Sequence, residues 1–354
     1  MFDDLDLDER PLVFIWELTQ ACELACKHCR ADAQPQRHPD ELTTAEGKAL
    51  LDDVRGFGER QLVVLSGGDP LAREDVVELV DYGTDRGLQM TLTPSGTSSL
   101  TPAALADLDD AGLRRLALSI DGGDEAAHDA FRGEDGSFAA TIEAAEAARE
   151  QGIPLQVNTT VCAETVGQLP AIRDLVADLG AVLWSVFFLV PVGRGKVLTP
   201  ISPDRAESVM EWLHDVADEA RFGVKTTEAP HYRRVAAQRA DGDRDGLRRR
   251  RGVRAGKGFA FVSHTGEMYP SGFLPESAGN VREDSVVDVY RDSELFRALR
   301  DDDALKGDCG ACEFRAVCGG SRSRAYAHTG DPLAEDPLCA YEPDQPTEPA
   351  PADD

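Results

Sequence analysis

The sequence predicts an α/β protein: a parallel sheet curled into a partial (β/α)6 barrel, followed by a small cysteine-rich unit. Three observations carry this prediction. Apolar runs recur six times between residues 12 and 190, and helical patterns fill the gaps between them. Seven of the eight cysteines fall into two clusters, one near each end of the chain. Consecutive βα units return to one sheet as parallel strands joined by right-handed crossovers.

The apolar runs at 12–18, 61–65, 88–92, 113–120, 155–161 and 182–190 read as strands buried on both faces. Helical patterns occupy 44–57, 74–86, 102–111, 138–150 and 169–179. Thr43, Thr101 and Ser137 are the expected N-caps, and Gly87, Gly112 and Gly152 each end a helix just before the next strand. The rhythm stops at Pro191-Val-Gly-Arg-Gly195. Ser202 and Pro203 then open a long helix over 204–220, and a second helix is expected at 232–240. An arginine-dense loop spans 241–258. Residues 259–263 and 267–269 pair as a hairpin across Thr265-Gly266, and 292–300 reads as helical. From residue 342 on, Pro, Asp and Glu dominate, as in a disordered tail. The expected organisation is an acidic arm at 1–11, the barrel at 12–200, a helical and Arg-rich bridge at 201–258, the cysteine-rich domain at 259–341 and the tail at 342–354.

A length of 354 residues with 42% apolar content suits two domains with a real core. No stretch approaches the ~20 apolar residues of a membrane span. The start, MFDDLDLDERP, has neither a basic nor an apolar segment and is not read as a signal peptide, so the expected location is the cytoplasm. Lys plus Arg total 37 against 65 Asp plus Glu, a net charge of −28. Such a surface repels nucleic-acid phosphates and anionic membranes, which excludes both as partners. The composition is that of proteins from salt-loving organisms, where salt screens self-repulsion.

Two cysteine groups carry chemistry. Cys22, Cys26 and Cys29, spaced C-x3-C-x2-C, follow strand one at the end where such barrels place their active sites. Three thiolates can hold three irons of a four-iron cluster and leave the fourth open to a small molecule; a structural zinc with His28 as a further ligand is the alternative. The second group is Cys309, Cys312, Cys318 and Cys339, with Gly319-Gly320 behind the third. Four thiolates would saturate a four-iron cluster, and zinc again remains open. Cys162 stands alone and reads as a packed core thiol, with a hydrogen-donor role as the alternative. Arg244, Arg248, Arg249, Arg250, Arg251 and Arg254, with Lys257, form the one dense basic stretch, preceded by His231, Tyr232, Arg233 and Arg234. It reads either as a solvated loop balancing local aspartates or as a clamp for a polyanion.

C-x3-C-x2-C directly after the first strand of a βα barrel resembles the radical S-adenosylmethionine (SAM) superfamily. Other motifs agree in order. Gly67-Gly68-Asp69-Pro70 ends strand two, where the family has its GGEP-like turn against the methionine amino group. Ser119-Ile120-Asp121-Gly122 ends strand four, Asn158 lies on strand five, and Val190 begins the segment near which the adenine sits. His28 takes the place of the family's aromatic before the third cysteine. The resemblance implies a [4Fe-4S] cluster on Cys22, Cys26 and Cys29, SAM on its open iron, and a 5′-deoxyadenosyl radical that takes hydrogen from the substrate.

Cys309-x2-Cys312-x5-Cys318-x20-Cys339 resembles the SPASM or twitch extension of that superfamily and implies one auxiliary [4Fe-4S] cluster. The stretch Tyr269-Pro270-Ser271-Gly272 lacks the further cysteine that two-auxiliary-cluster members carry. The segment from Cys318 to Cys339 resembles members acting in alternative heme and heme d1 biosynthesis. That implies a tetrapyrrole substrate, with a reducing partner such as ferredoxin or flavodoxin. The candidate substrate residues are His231, Arg233, Arg249, Arg251 and Lys257, with surface placement expected for His231 and His264 unless they touch a porphyrin iron. Peptide maturases share the C-terminal pattern, but the eleven residues before strand one leave no room for the peptide-recognition domain they often carry. A non-catalytic iron–sulfur carrier is the alternative outside enzymes.

Overall fold

The computed structural model describes residues 6–240 and 252–343. The expected six strands form: β1 (Val13–Glu17), β2 (Leu62–Ser66), β3 (Gln89–Leu92), β4 (Arg115–Ser119), β5 (Leu155–Val161) and β6 (Leu183–Phe188). A seventh, β7 (Gly223–Thr227), was not expected. It is an edge strand, and its GVKTT sequence lacks the continuous apolar run that marks a strand buried on both faces. After it come β8 (Arg254–Ala255), β9 (Gly258–Val262), β10 (Glu267–Tyr269) and β11 (Gly279–Asn280). The sheet order is β11-β10-β9-β1-β2-β3-β4-β5-β6-β7, with β8 beside β9.

The expected hairpin is present as β9 and β10, joined through Ser263–Gly266. Its placement was not foreseen: β9 pairs in parallel with β1, Val13 opposite Phe259. The apolar GFAFV of β9 suits burial beside the equally apolar β1. Neighbouring strands from β1 to β7 are all parallel, with Val13 opposite Leu62 and Asn158 opposite Ser185 as examples of the register. Side chains alternate across each strand, so one face meets the surrounding helices and the other lines an interior. The helix-facing core includes fully buried Phe14, Trp16, Leu65, Leu118, Val157 and Trp184.

The helices run as Thr44–Val54, Val76–Asp85, Pro102–Asp110, Glu125–Arg132, Ser137–Gln151, Leu169–Asp178, Pro203–Glu219 and His231–Arg239. Thr43 and Thr101 cap as expected. Ser137 does not: it is the first helical residue, and its hydroxyl donates to Asp129 Oδ1 at 2.9 Å. Asp129 also accepts the N–H groups of Gly136 and Phe138, so a carboxylate from the preceding helix does the capping. That preceding helix, Glu125–Arg132, is the one barrel helix the sequence did not show; it is capped by Asp124 and stopped by Gly133 at φ 75°. The helical stretch at 292–300 is broken at Ser293, which caps Glu294–Arg300 after the separate helix Val286–Asp292. Short helices Gly307–Ala311 and Arg322–Thr329 flank Cys312 and Cys318, with Cys309 inside the first and Cys339 beyond the second. No helix of the described residues is long and apolar enough to cross a membrane.

Candidate active site

The sheet encloses a cavity of about 660 Å³, within the range of small-molecule sites. Cys22, Cys26 and Cys29 all open onto it. Their loop is held from several sides. Cys22 and Gln34 pair across its neck, the Cys22 N–H donating to the Gln34 carbonyl at 2.8 Å. Arg194 staples it from the segment after β6: its N–H donates to Cys29 O at 2.9 Å, and its guanidinium to Cys26 O at 3.1 Å and Ala33 O at 3.2 Å. The turn after β2 supplies the other wall. Gly68 N–H donates to Thr19 O at 2.8 Å, and a Cβ on Gly68 would lie 2.4 Å from Ala21 O. Only glycine lets the two loops approach so closely.

All three thiols are free. Leu24 N–H reaches Cys22 Sγ and Ala33 N–H reaches Cys29 Sγ, each at 3.4 Å, and Ser95 Oγ lies 3.3 Å from Cys22 Sγ. Burial pushes the Cys22 and Cys26 thiols above their ordinary pKa, and Arg132 is the cation opposing that shift in both. Thiolates there therefore call for positive charge, which a bound metal cluster provides. The donors fit an iron–sulfur cluster.

Around them stand the predicted cofactor residues. Gly67, Gly68, Ser119, Asp121, Asn158 and Val190 line the cavity. Asp69 does not: it is buried in the turn, accepting from Thr97 Oγ1 at 2.6 Å and Leu71 N–H at 3.1 Å. Asp121 accepts Thr160 N–H at 2.7 Å and Arg132 at 3.4 Å. Burial opposes its ionisation, but His28, Arg132 and the Thr160 N–H together prevail and hold its carboxyl below the usual range. His28 stacks on Phe131, ring centroids 4.9 Å apart, and burial pulls it down to about 4, so it is neutral near pH 7.

The second cysteine group is also free and half-buried or buried. Asp336 N–H reaches Cys309 Sγ at 3.4 Å, Phe314 N–H reaches Cys312 Sγ at 3.4 Å and Gly320 N–H reaches Cys318 Sγ at 3.5 Å. Arg322 lies 3.5 Å from Cys309 Sγ. Burial pushes Cys312 up to about 11 and Cys318 up to about 12, with the charge of neighbouring cysteines adding to it. A Cβ on Gly320, at φ +65°, would sit 2.9 Å from Cys309 Sγ, so backbone wraps the sulfurs closely. Four thiols are the donor type that an iron–sulfur cluster or a structural zinc takes.

A family model described as the radical SAM superfamily matches residues 16–176. The AdoMet-dependent heme synthase of Methanosarcina barkeri is 42% identical over 343 residues, covering 94% of this chain and 97% of its own. This chain belongs to the radical SAM superfamily. The AdoMet-dependent heme synthase of Nitratidesulfovibrio vulgaris is 42% identical over 338 residues, 93% of this chain and 92% of its own. The fold matches SuiB of Streptococcus suis bound to S-adenosylmethionine, with a TM-score of 0.74 at 17% identity over 94% of this chain and 78% of that one. The protein is thus a radical SAM enzyme, for which SAM and a [4Fe-4S] cluster are the cofactors its family implies.

The substrate candidates of this radical SAM enzyme are placed less as expected. Arg233 lines the cavity, its Nη1 donating to Val253 O at 2.7 Å. His231 is fully buried behind the wall rather than on the surface. It pairs at 3.1 Å with Asp336, which also holds Arg324. Burial would lower His231, but Asp336 raises it to about 9. His264 is buried against Glu17 at 2.8 Å. Both histidines are held by carboxylates delivered from distant segments, which their sequence surroundings do not show. Lys257 is buried on Asp302 at 2.7 Å, beside Arg254, and is a structural cation rather than part of the cavity wall. Arg249 and Arg251 lie outside the described residues. Cys162 is fully buried, 3.4 Å from Thr165 Oγ1 and clustered with Phe131, Leu189 and Leu198, which favours packing.

Sequence reasoning missed Arg132, Arg194, Arg115 and Lys225, all on the cavity wall. The first lies on the unexpected helix and the last on the unexpected strand. Arg115 carried a signal: a cation opening the otherwise apolar strand RLALS.

Proposed function

We propose that the enzyme acts on a tetrapyrrole, converting propionate side chains of iron-coproporphyrin III to vinyl groups by oxidative decarboxylation. The observation that carries this reading is one cavity that joins the three-cysteine loop at its mouth to a group of cations deeper in the barrel. A polycarboxylate substrate suits that combination, and both heme synthases cover nearly the whole chain.

Cys22, Cys26 and Cys29 would hold the first cluster, with Gly67, Gly68, Ser119, Asp121, Asn158, Val190 and His28 around SAM. When bound, the cluster and SAM supply a carbon radical able to take a hydrogen atom from an unactivated carbon. The chain's own task is placement. Arg194 and the Gly67–Gly68 turn fix the cysteine loop, Asp121 and Arg132 set the charge beneath it, and the barrel wall excludes water. Loss of a hydrogen atom, carbon dioxide and one electron turns a propionate into a vinyl group. Cys309, Cys312, Cys318 and Cys339 would hold an auxiliary cluster, in the segment 259–341, that accepts that electron. A cytoplasmic ferredoxin or flavodoxin would reduce the first cluster.

The test is turnover of iron-coproporphyrin III by anaerobically reconstituted enzyme with SAM and reductant. The expected products are carbon dioxide, 5′-deoxyadenosine and a vinyl porphyrin. Cleavage of SAM with no porphyrin bound, or turnover of a peptide instead, would overturn the reading.

A further inference from the structure

We propose that Arg115, Lys225 and Arg233 form a carboxylate-binding subsite inside the barrel. It would grip a substrate carboxylate remote from the reacting one. All three line the cavity that opens onto Cys22, Cys26 and Cys29. They come from β4, β7 and the helix His231–Arg239, so they converge only in the folded sheet. Lys225 lies in the row Ser119–Asn158–Ser185–Lys225 across β4 to β7, level with residues assigned to the SAM wall.

The charges of Arg115 and Arg233 both reach Lys225. Among the described residues, no hydrogen bond or ion pair joins Arg115, Lys225 or Arg233 to a carboxylate. The Lys225 ammonium lies over the face of the Phe259 ring, 5.5 Å away. The acids that share the cavity are engaged elsewhere. Asp121 is taken by Arg132 and Thr160, and Glu228 accepts the hydroxyls of Ser271, Ser321 and Ser323.

Burial and the charges of Arg115 and Arg233 lower Lys225 to about 8. A half-buried cation held beside two others is costly unless an anion joins it. The site therefore favours a ligand that brings negative charge, and the guanidinium forks favour a planar carboxylate. The site itself follows from the geometry. That the carboxylate belongs to a porphyrin rests on the tetrapyrrole reading.

The test uses reconstituted holoenzyme and equilibrium dialysis of iron-coproporphyrin III and its tetramethyl ester. Wild type is expected to hold the free acid at least tenfold more tightly than the ester. Lys225→Met and Arg115→Met should each lose about tenfold for the acid and nothing for the ester, while Lys225→Arg keeps most of the preference. Variants that keep the wild-type preference overturn the proposal. A second measurement needs no variant: acetylation of Lys225 by acetic anhydride at pH 8, followed by peptide mass spectrometry. The porphyrin and the simple polyanion tricarballylate should both slow it. Protection by tricarballylate but not by the porphyrin leaves the anion site standing and removes the tetrapyrrole reading. Protection by neither removes the site.

Discussion

The ammonium of Lys225 sits 5.5 Å from the centre of the Phe259 ring, although β7 and β9 are seven strand positions apart in the sheet. The parallel run from β9 through β1 to β7 thus curls until its two ends meet through side chains rather than backbone. Such a partial barrel keeps the interior accessible while still excluding most water. The relationship also places one of the few lysines of a strongly acidic chain inside the cavity, where its charge acts in a poorly solvated setting.

The close approach of two loops makes Gly68 sensitive. A methyl group there would meet Ala21 O at 2.4 Å and Gln20 O at 2.6 Å, and the cysteine loop must move. Gly68→Ala is expected to lower SAM cleavage roughly a hundredfold through misplacement. Gly167→Ala, with nothing within 4 Å of its Cβ, should match wild type. Deoxyadenosine production compares the two.

Asp121 and Arg132 are buried together beneath the thiols. Asp121→Ala leaves the guanidinium without its carboxylate and should cost on the order of 3 kcal/mol of stability. Anaerobic urea unfolding measures it. A loss under about 1 kcal/mol would mean that Arg132 finds an equivalent partner, contrary to this description.

Glu46 ties the first helix to residue 282. It accepts from Arg282 at 2.6 Å and completes a capping box with Thr43. The Arg282 hydrogen bond and those from Thr43 hold its carboxyl down at about 2. The folded pKa lies below the unfolded one, so the stabilisation is present above about pH 4.5 and is lost as pH falls toward 2. Glu46→Gln should cost about 1 kcal/mol at pH 7, shrinking toward zero across that window. Urea titrations at a series of pH values test the trend.

Cysteine roles separate by metal content. Cys339→Ala should lower iron to roughly half if its group holds a second four-iron cluster. Cys162→Ala should leave both iron and SAM cleavage at wild-type levels. Stoichiometric zinc in the wild type, with only one cluster's iron, would remove the auxiliary cluster.

The barrel was legible because its strands are largely apolar runs and its helices carry local stop and start signals, as at Thr43 and Gly152. What escaped was set by context. The strand Gly223–Thr227 is polar because it lies at an edge, and Ser137 lost its capping role to Asp129, whose reach depends on a neighbouring helix. The same limit shaped the reading of the site. The basic run before β9 drew attention because its charges are consecutive, yet Lys257 and Arg254 neutralise half-buried Asp302.

By itself the sequence determined the cysteine spacing, the βα order and hence the family, because thiol spacing and strand periodicity are local properties of the chain. Only the tertiary structure decided that His231 and His264 are buried on carboxylates, that Arg194 braces the cysteine loop while Arg132 is buried on Asp121, and that Arg115, Lys225 and Arg233 share one cavity. Those outcomes depend on the curl of the sheet, which brings residues more than a hundred positions apart within reach of one charge.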